Sequence, residues 1–155
     1  VAVGPRTNPS HVTPAPASAH QLISARLFAQ LARYLASVGR PDTALYSPAD
    51  ISWGTQTLVQ PDIFVFPPGE LTARWSDLQT LLLAVEILSP DDRMSYVMEK
   101  LREYRHWGAA HIWLIDPANS SLSVFVSQGL VDVHEYDLPE FGLKVTRDDL
   151  FSPRQ

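Results

Sequence analysis

The chain has 155 residues, 45% of them apolar and four of them Trp, enough for one domain with a real core. It has no cysteine, which excludes disulfides and thiolate metal sites, and its 12 Lys and Arg against 17 Asp and Glu, a formal net charge of -5, argue against sequence-blind coating of phosphate backbones. Its apolar runs fall far short of the roughly 20 residues a bilayer helix needs and no basic, cleavable leader is visible, so the expectation is a soluble, cytoplasmic protein.

Residues 1–18, "VAVGPRTNPSHVTPAPAS", hold four of the 13 prolines and little periodicity, and predict an extended or flexible arm ahead of a single domain over 19–155. From His20 to Val38, Leu22, Ile23, Leu27, Phe28, Leu31, Tyr34 and Leu35 recur at helical spacing, with Ser18 as N-cap and Gly39 as stop. Short extended segments are expected near Ala44–Tyr46 and over Leu58–Phe66, where Pro61 must sit at a bulge, an edge or a strand start. "LLLAVEILSP", residues 81–90, reads as a central strand covered on both faces and ended by Ser-Pro. A second helix is predicted from about Asp92 to Trp107, stopping at Gly108. "AHIWLIDPANSSLSVFVS" then reads as two strands joined by a Pro-Asn-Ser turn, and "LVDVHEYD" as another, the last two extending the sheet. No internal repeat is present.

One residue in the central strand is anomalous. A carboxylate, Glu86, inside a doubly covered apolar strand requires a partner. The second helix offers one: at about 100° per residue, Tyr96, Val97, Leu101, Tyr104 and Trp107 share a side, and Lys100 lies in the middle of it. The short Ser89–Asp92 connection folds that helix back over the strand. Asp62, in "QPDIFVF", is a carboxylate at a Pro-marked strand position and can converge on Glu86 from a neighbouring strand. Two carboxylates and one lysine are the minimum for metal-assisted phosphodiester cleavage: hard oxygens hold Mg²⁺, which acidifies a water, while the lysine stabilises charge on the phosphate.

"PDIFVF", "LLLAVEILSP", then Lys100, Tyr104 and Gly108, then "IWLIDP", resemble the Uma-type restriction endonucleases, a bacterial branch of the PD-(D/E)XK nuclease superfamily. The likeness runs from about His20 to the C-terminus, including "YSPADISW" and the closing "DDLF". It implies an α/β fold with a restriction-endonuclease-like mixed central sheet flanked by helices. It further implies that Asp62 and Glu86 are metal ligands for Mg²⁺ or Mn²⁺, and that the main-chain carbonyl of Ile87 is a further ligand. The superfamily lysine usually stands two residues after the glutamate, where this chain has Leu88; Lys100 resembles its migrated replacement. His20 is then an auxiliary metal or phosphate contact. Two features depart from the pattern: there is no acid on the first helix, the next being Asp42, and no N-terminal strand with its own glutamate is recognisable in residues 1–18.

Each of these residues also has a plain structural reading. Asp62 can cap a turn, Glu86 and Lys100 can form a buried ion pair without chemistry, Lys100 can extend past Tyr96 and Tyr104 to water, and His20 can be a helix-start histidine. Ser89 is read as a turn cap and Tyr104 as a core aromatic, both also auxiliary to the site; Trp113 is read as core and Asp116 as a turn residue. Two functions follow. The first is a Mg²⁺-dependent DNA endonuclease, RNA not being distinguished, for which a homodimer would suit cutting both strands. The second is a catalytically inactive nuclease-fold module that binds nucleic acid or protein. A concave basic strip beside the carboxylates would separate them, with Arg26, Arg33, Arg74, Arg93 and Arg102 as candidates.

Overall fold

The computed structural model of the chain describes residues 15–39, 44–46, 51–53, 57–67 and 81–152, with side chains over 18–39, 60–67 and 81–152. Residues 1–14 of the expected arm, residues 47–50 within "YSPADISW", and Arg74 lie outside the described residues.

Helix α1 spans Ala15–Ser37. It starts three residues before the expected Ser18 cap, because Pro16 falls in its first turn, where a missing N–H costs nothing and a fixed φ is already helical. It stops at Gly39, whose φ of 77° is the left-handed conformation expected beyond a helix end. Strands β1 (Ala44–Tyr46), β2 (Ile51–Trp53), β3 (Thr57–Val59), β4 (Ile63–Val65) and β5 (Leu83–Ile87) follow, then α2 (Met94–His106) and β6 (His111–Asp116). The chain continues through β7 (Ser121–Val126), β8 (Gly129–Val133), β9 (Glu135–Leu138), β10 (Leu143–Thr146) and α3 (Arg147–Phe151).

Among the described residues the main sheet has the order β1-β4-β5-β6-β7-β8. Every neighbouring pair is antiparallel except β5 and β6, which run parallel and are joined by α2 as the crossover. The sheet is therefore mixed, as expected, and β5 stands inside it. β2 and β3 form a separate hairpin, with Pro61 buried in the break between β3 and β4.

The period-2 alternation of β5 divides the core. Leu83, Val85 and Ile87 pack with Ile63, Val65, Trp113 and Ile115 on the face covered by Ile23, Leu27, Leu31 and Leu35 of α1. Ala84 points the other way, with Phe64, Ile112 and Leu114, toward Val97, Leu101 and Tyr104 of α2. By the same alternation Glu86 lies on the α2 face. Tyr96 departs from expectation: it is 59% exposed rather than buried, since it lies about 100° around α2 from the centre of the buried face formed by Val97, Leu101 and Tyr104.

The C-terminal third differs most from the sequence reading. "LVDVHEYD" is not one strand. It breaks at His134, so that β8 stays in the main sheet while β9 pairs with β10 in a ribbon of its own. Tyr136, Leu138, Val145 and Leu150 from this ribbon and α3 close the α1 side of the core. α3 is nucleated by a capping box, with Asp149 N–H donating to Thr146 Oγ1 at 3.3 Å and Thr146 N–H donating to Asp149 Oδ2 at 2.9 Å. Arg26 donates to the Leu150 carbonyl at 2.7 Å and Gln30 to the Asp149 carbonyl at 3.2 Å, tying α1 to the last helix.

Tyr136 fixes the ribbon to the sheet. Its ring stacks on Trp113 at 4.2 Å, and its hydroxyl accepts from Ser123 N–H at 3.0 Å while donating to the Leu114 carbonyl. Removing that hydroxyl leaves backbone groups of two core strands without their partner. Tyr136→Phe is expected to lower unfolding stability by about 1–3 kcal/mol, read from urea denaturation with the slope unchanged.

Candidate active site

The ladder that pairs β4 with β5 runs to Ile63 matched with Val85, and Asp62 and Glu86 are the next residue of each strand beyond it. Asp62 N–H donates to the Val85 carbonyl at 3.0 Å, one residue short of Glu86, so the pairing shifts at this point and Asp62 leaves the strict ladder. The two acids are near enough for the charge of Asp62 to act on Glu86 and raise its proton affinity. The sequence thus places two carboxylates side by side where β4 and β5 leave the sheet.

Each carboxylate is held by a different set of groups. Asp62 Oδ2 accepts from the Ile87 N–H at 2.7 Å, and its Oδ1 lies 3.3 Å from His20 Nε2 on α1. Glu86 turns to the opposite side of the sheet. Its Oε1 accepts from the Tyr104 hydroxyl, and its Oε2 lies 3.3 Å from Lys100 Nζ, both donors standing one helical turn apart on α2. The Glu86 side chain is 6% exposed and that of Lys100 43%, so the lysine spans from the buried carboxylate to solvent.

The electrostatics follow from this placement. Burial, together with the Asp62 charge, pushes Glu86 up to about 7, although Lys100 and the Tyr104 hydrogen bond oppose the shift. The hydrogen bond to Asp62 raises the His20 imidazole above its ordinary value against the effect of burial, and the charges of Asp62, Asp92 and Glu86 add to it. Burial, with the Glu86 charge beside it, holds the Tyr104 phenol well above its usual range.

The structure therefore brings Asp62, Glu86, Lys100, Tyr104, His20 and the Ile87 backbone into one network. Asp62 is a cross-strand acceptor and not a turn cap. Ser89 lies just outside: its N–H is capped by Asp92 Oδ2 at 2.8 Å, and its carbonyl accepts from Asp92 N–H at 3.0 Å. The capping side chain of that turn is Asp92, which the sequence reading did not single out, although "SPDD" is a turn signal. Asp116 is a turn residue as expected, accepting from Ala118 N–H at 3.0 Å and from Asn119 at 2.6 Å. The arginines do not converge: Arg26 and Arg33 line a separate cleft with Gln30 and Asp149, while Arg93 and Arg102 lie exposed on the α2 side.

For a divalent cation the donor chemistry is suitable. Two neighbouring carboxylates, one held by a backbone N–H and one with a raised affinity for protons, are oxygen donors of the kind that Mg²⁺ takes alongside water. Among the described residues no group of three or more His, Cys, Asp or Glu is placed to hold a metal, so the fit rests on the pair. Among the described residues no helix is long and apolar enough to cross a membrane.

The family described as "Putative restriction endonuclease", Uma2, matches residues 10–152. Among solved structures, the chain is similar to a nuclease from Anabaena variabilis ATCC 29413, titled "putative", with a TM-score of 0.66 and 23% identity over 84% of this chain and 80% of that chain. At that identity the likeness is one of fold. Among curated proteins no relative matches.

Metal-free protein should register the crowding of the two acids. Because the folded Glu86 stands near 7, above its ordinary value of 4.5, the stability tied to its protonated form is complete below about 4.5 and is lost as pH rises through about 7. In chelator, wild-type melting temperature is expected to fall between pH 5 and 8, and Glu86→Gln to fall less, by an amount corresponding to about 2–3 kcal/mol. Parallel curves for the two proteins would show that Glu86 carries no such penalty.

Proposed function

The chain belongs to the Uma2 family of putative restriction endonucleases, and from that premise we propose that it is a divalent-metal-dependent nuclease that hydrolyses DNA phosphodiesters at Asp62, Glu86 and Lys100. The observation that carries this reading is the approach of two carboxylates at the adjoining ends of β4 and β5, where the Asp62 charge helps to raise Glu86 and leaves a repulsion for a cation to relieve.

In this reading Asp62, Glu86 and the Ile87 carbonyl hold Mg²⁺ or Mn²⁺, and the bound cation supplies Lewis-acid polarisation of the scissile phosphate and acidifies a water. The chain's own groups do the positioning. The Ile87 N–H fixes the Asp62 carboxylate, and the Tyr104 hydroxyl fixes that of Glu86. Lys100 keeps one N–H on Glu86 and has two more to offer a phosphate oxygen on its exposed side, where charge grows as the bond to the nucleophile forms. His20, with its raised proton affinity, adds a second cationic donor beside Asp62. RNA cleavage needs the same groups, and a homodimer would let two sites address both strands of a duplex.

A second reading has a specific observation behind it. Glu86 already has a donor on each oxygen, Tyr104 and Lys100, and such a satisfied network can be structural. The chain would then be a nuclease-fold module that binds without cutting.

Calorimetry with Mg²⁺ and Mn²⁺, and nicking of supercoiled plasmid at low salt, separate the two. Asp62→Asn and Glu86→Gln are expected to lose metal binding and cleavage together. Lys100→Met is expected to keep metal binding and to cut about 10²–10³-fold more slowly. If wild type binds neither ion, cuts neither DNA nor RNA, and Glu86→Gln only alters melting, the catalytic reading falls.

A further inference from the structure

Beyond the ends of β5 and β6 lies a cavity of about 560 Å³, within the range of small-molecule sites. These are the parallel strands of the sheet, and the crevice past the carboxyl ends of parallel strands is where α/β folds bind ligands. Among the described residues its apolar lining comes from Leu88, Pro90, Met94 and Pro117, and its charged lining from Asp92 and Asp116. It adjoins the candidate active site along the chain: Leu88 is two strand residues, about 7 Å, past Glu86, and the lining residue Ala19 precedes His20.

We propose that this cavity seats an unpaired nucleobase next to the phosphate held at Asp62, Glu86 and Lys100, so that the protein favours substrates in which a base can leave the stack. The proposal rests on the nuclease reading for its substrate class. Its own argument is chemical. Two carboxylates repel a phosphate, and a purely apolar ligand would leave Asp92 Oδ1 unanswered; a nucleobase has flat apolar faces for Leu88 and the two prolines and N–H donors along its edge. Asp92 spends one oxygen on Ser89 N–H, leaving Oδ1 as an acceptor. A base also hangs one sugar from its phosphate, the spacing that the short step from Glu86 to Leu88 allows. Bases with an exocyclic amine, adenine, cytosine and guanine, are preferred over thymine.

Binding in chelator, where nothing is cut, tests the cavity apart from catalysis. The probes are a DNA duplex with a one-nucleotide 2-aminopurine bulge, the same bulge made abasic, and the fully paired duplex. Wild type is expected to bind the 2-aminopurine bulge about ten- to a hundredfold more tightly than either control, with a change in its fluorescence. Ala118→Trp, which fills the cavity from an exposed turn, is expected to remove that preference while leaving duplex binding unchanged. Equal affinity for the base-containing and abasic bulges, or a preference that survives Ala118→Trp, overturns the proposal. Should the preference hold while no metal supports cleavage, the cavity stands and the nuclease reading falls; cleavage without the preference gives the reverse.

Discussion

Two like charges on adjacent strands, one of them buried, are the constraint around which this molecule is organised. A carboxylate with 5% of its surface exposed is costly unless its oxygens are satisfied, and here two residues of one helix satisfy them. That requirement fixes the rotation of α2 about its axis: Tyr104 must reach Glu86 from the packed side and Lys100 from its edge. The apolar contacts of Val97 and Leu101 with Phe64, Ala84, Ile112 and Leu114 agree with the same rotation. Packing and polar satisfaction therefore point to one placement of the helix.

The other face of the sheet is settled by different physics. Asp62 takes its order from a backbone N–H and from His20, so its position depends on the seating of α1. α1 is held by a long apolar stripe and by its two side-chain bonds to α3. The two acids stand across one strand pair, yet their surroundings come from opposite layers. Breaking either layer would be felt first at a different carboxylate.

Much of this could be read in advance because charges in apolar surroundings are conspicuous. Glu86 in a run of Leu, Ala, Val and Ile, and Lys100 among Val97, Leu101 and Tyr104, each broke a pattern, and breaking it together implied contact. Asp62 was legible only through its Pro and the apolar run after it. His20 was harder, since a histidine at a helix start has no pattern to break, and its partner lies 42 positions away. Tyr96 was misplaced because apolar residues within a wide arc were read as one side, whereas the buried face centres on Val97, Leu101 and Tyr104 and leaves Tyr96 about 100° away from it. The ribbon of β9 and β10 escaped because four-residue strands with two inward side chains hardly alternate, and α3 is too short to show a period. Its capping box, Thr146 and Asp149, was the one local sign available.

The bonds from Arg26 and Gln30 to the carbonyls of Leu150 and Asp149 have a consequence for the order of events in the cell. They join residues 124 and 119 positions apart, so the helix that carries His20 gains these supports only when Asp149 and Leu150 have left the ribosome. A nascent chain can form the strands that bear Asp62 and Glu86 well before that. Completion of the constellation is thus tied to the synthesis of α3, and a fragment released before it would carry the acids without the seated helix that completes them.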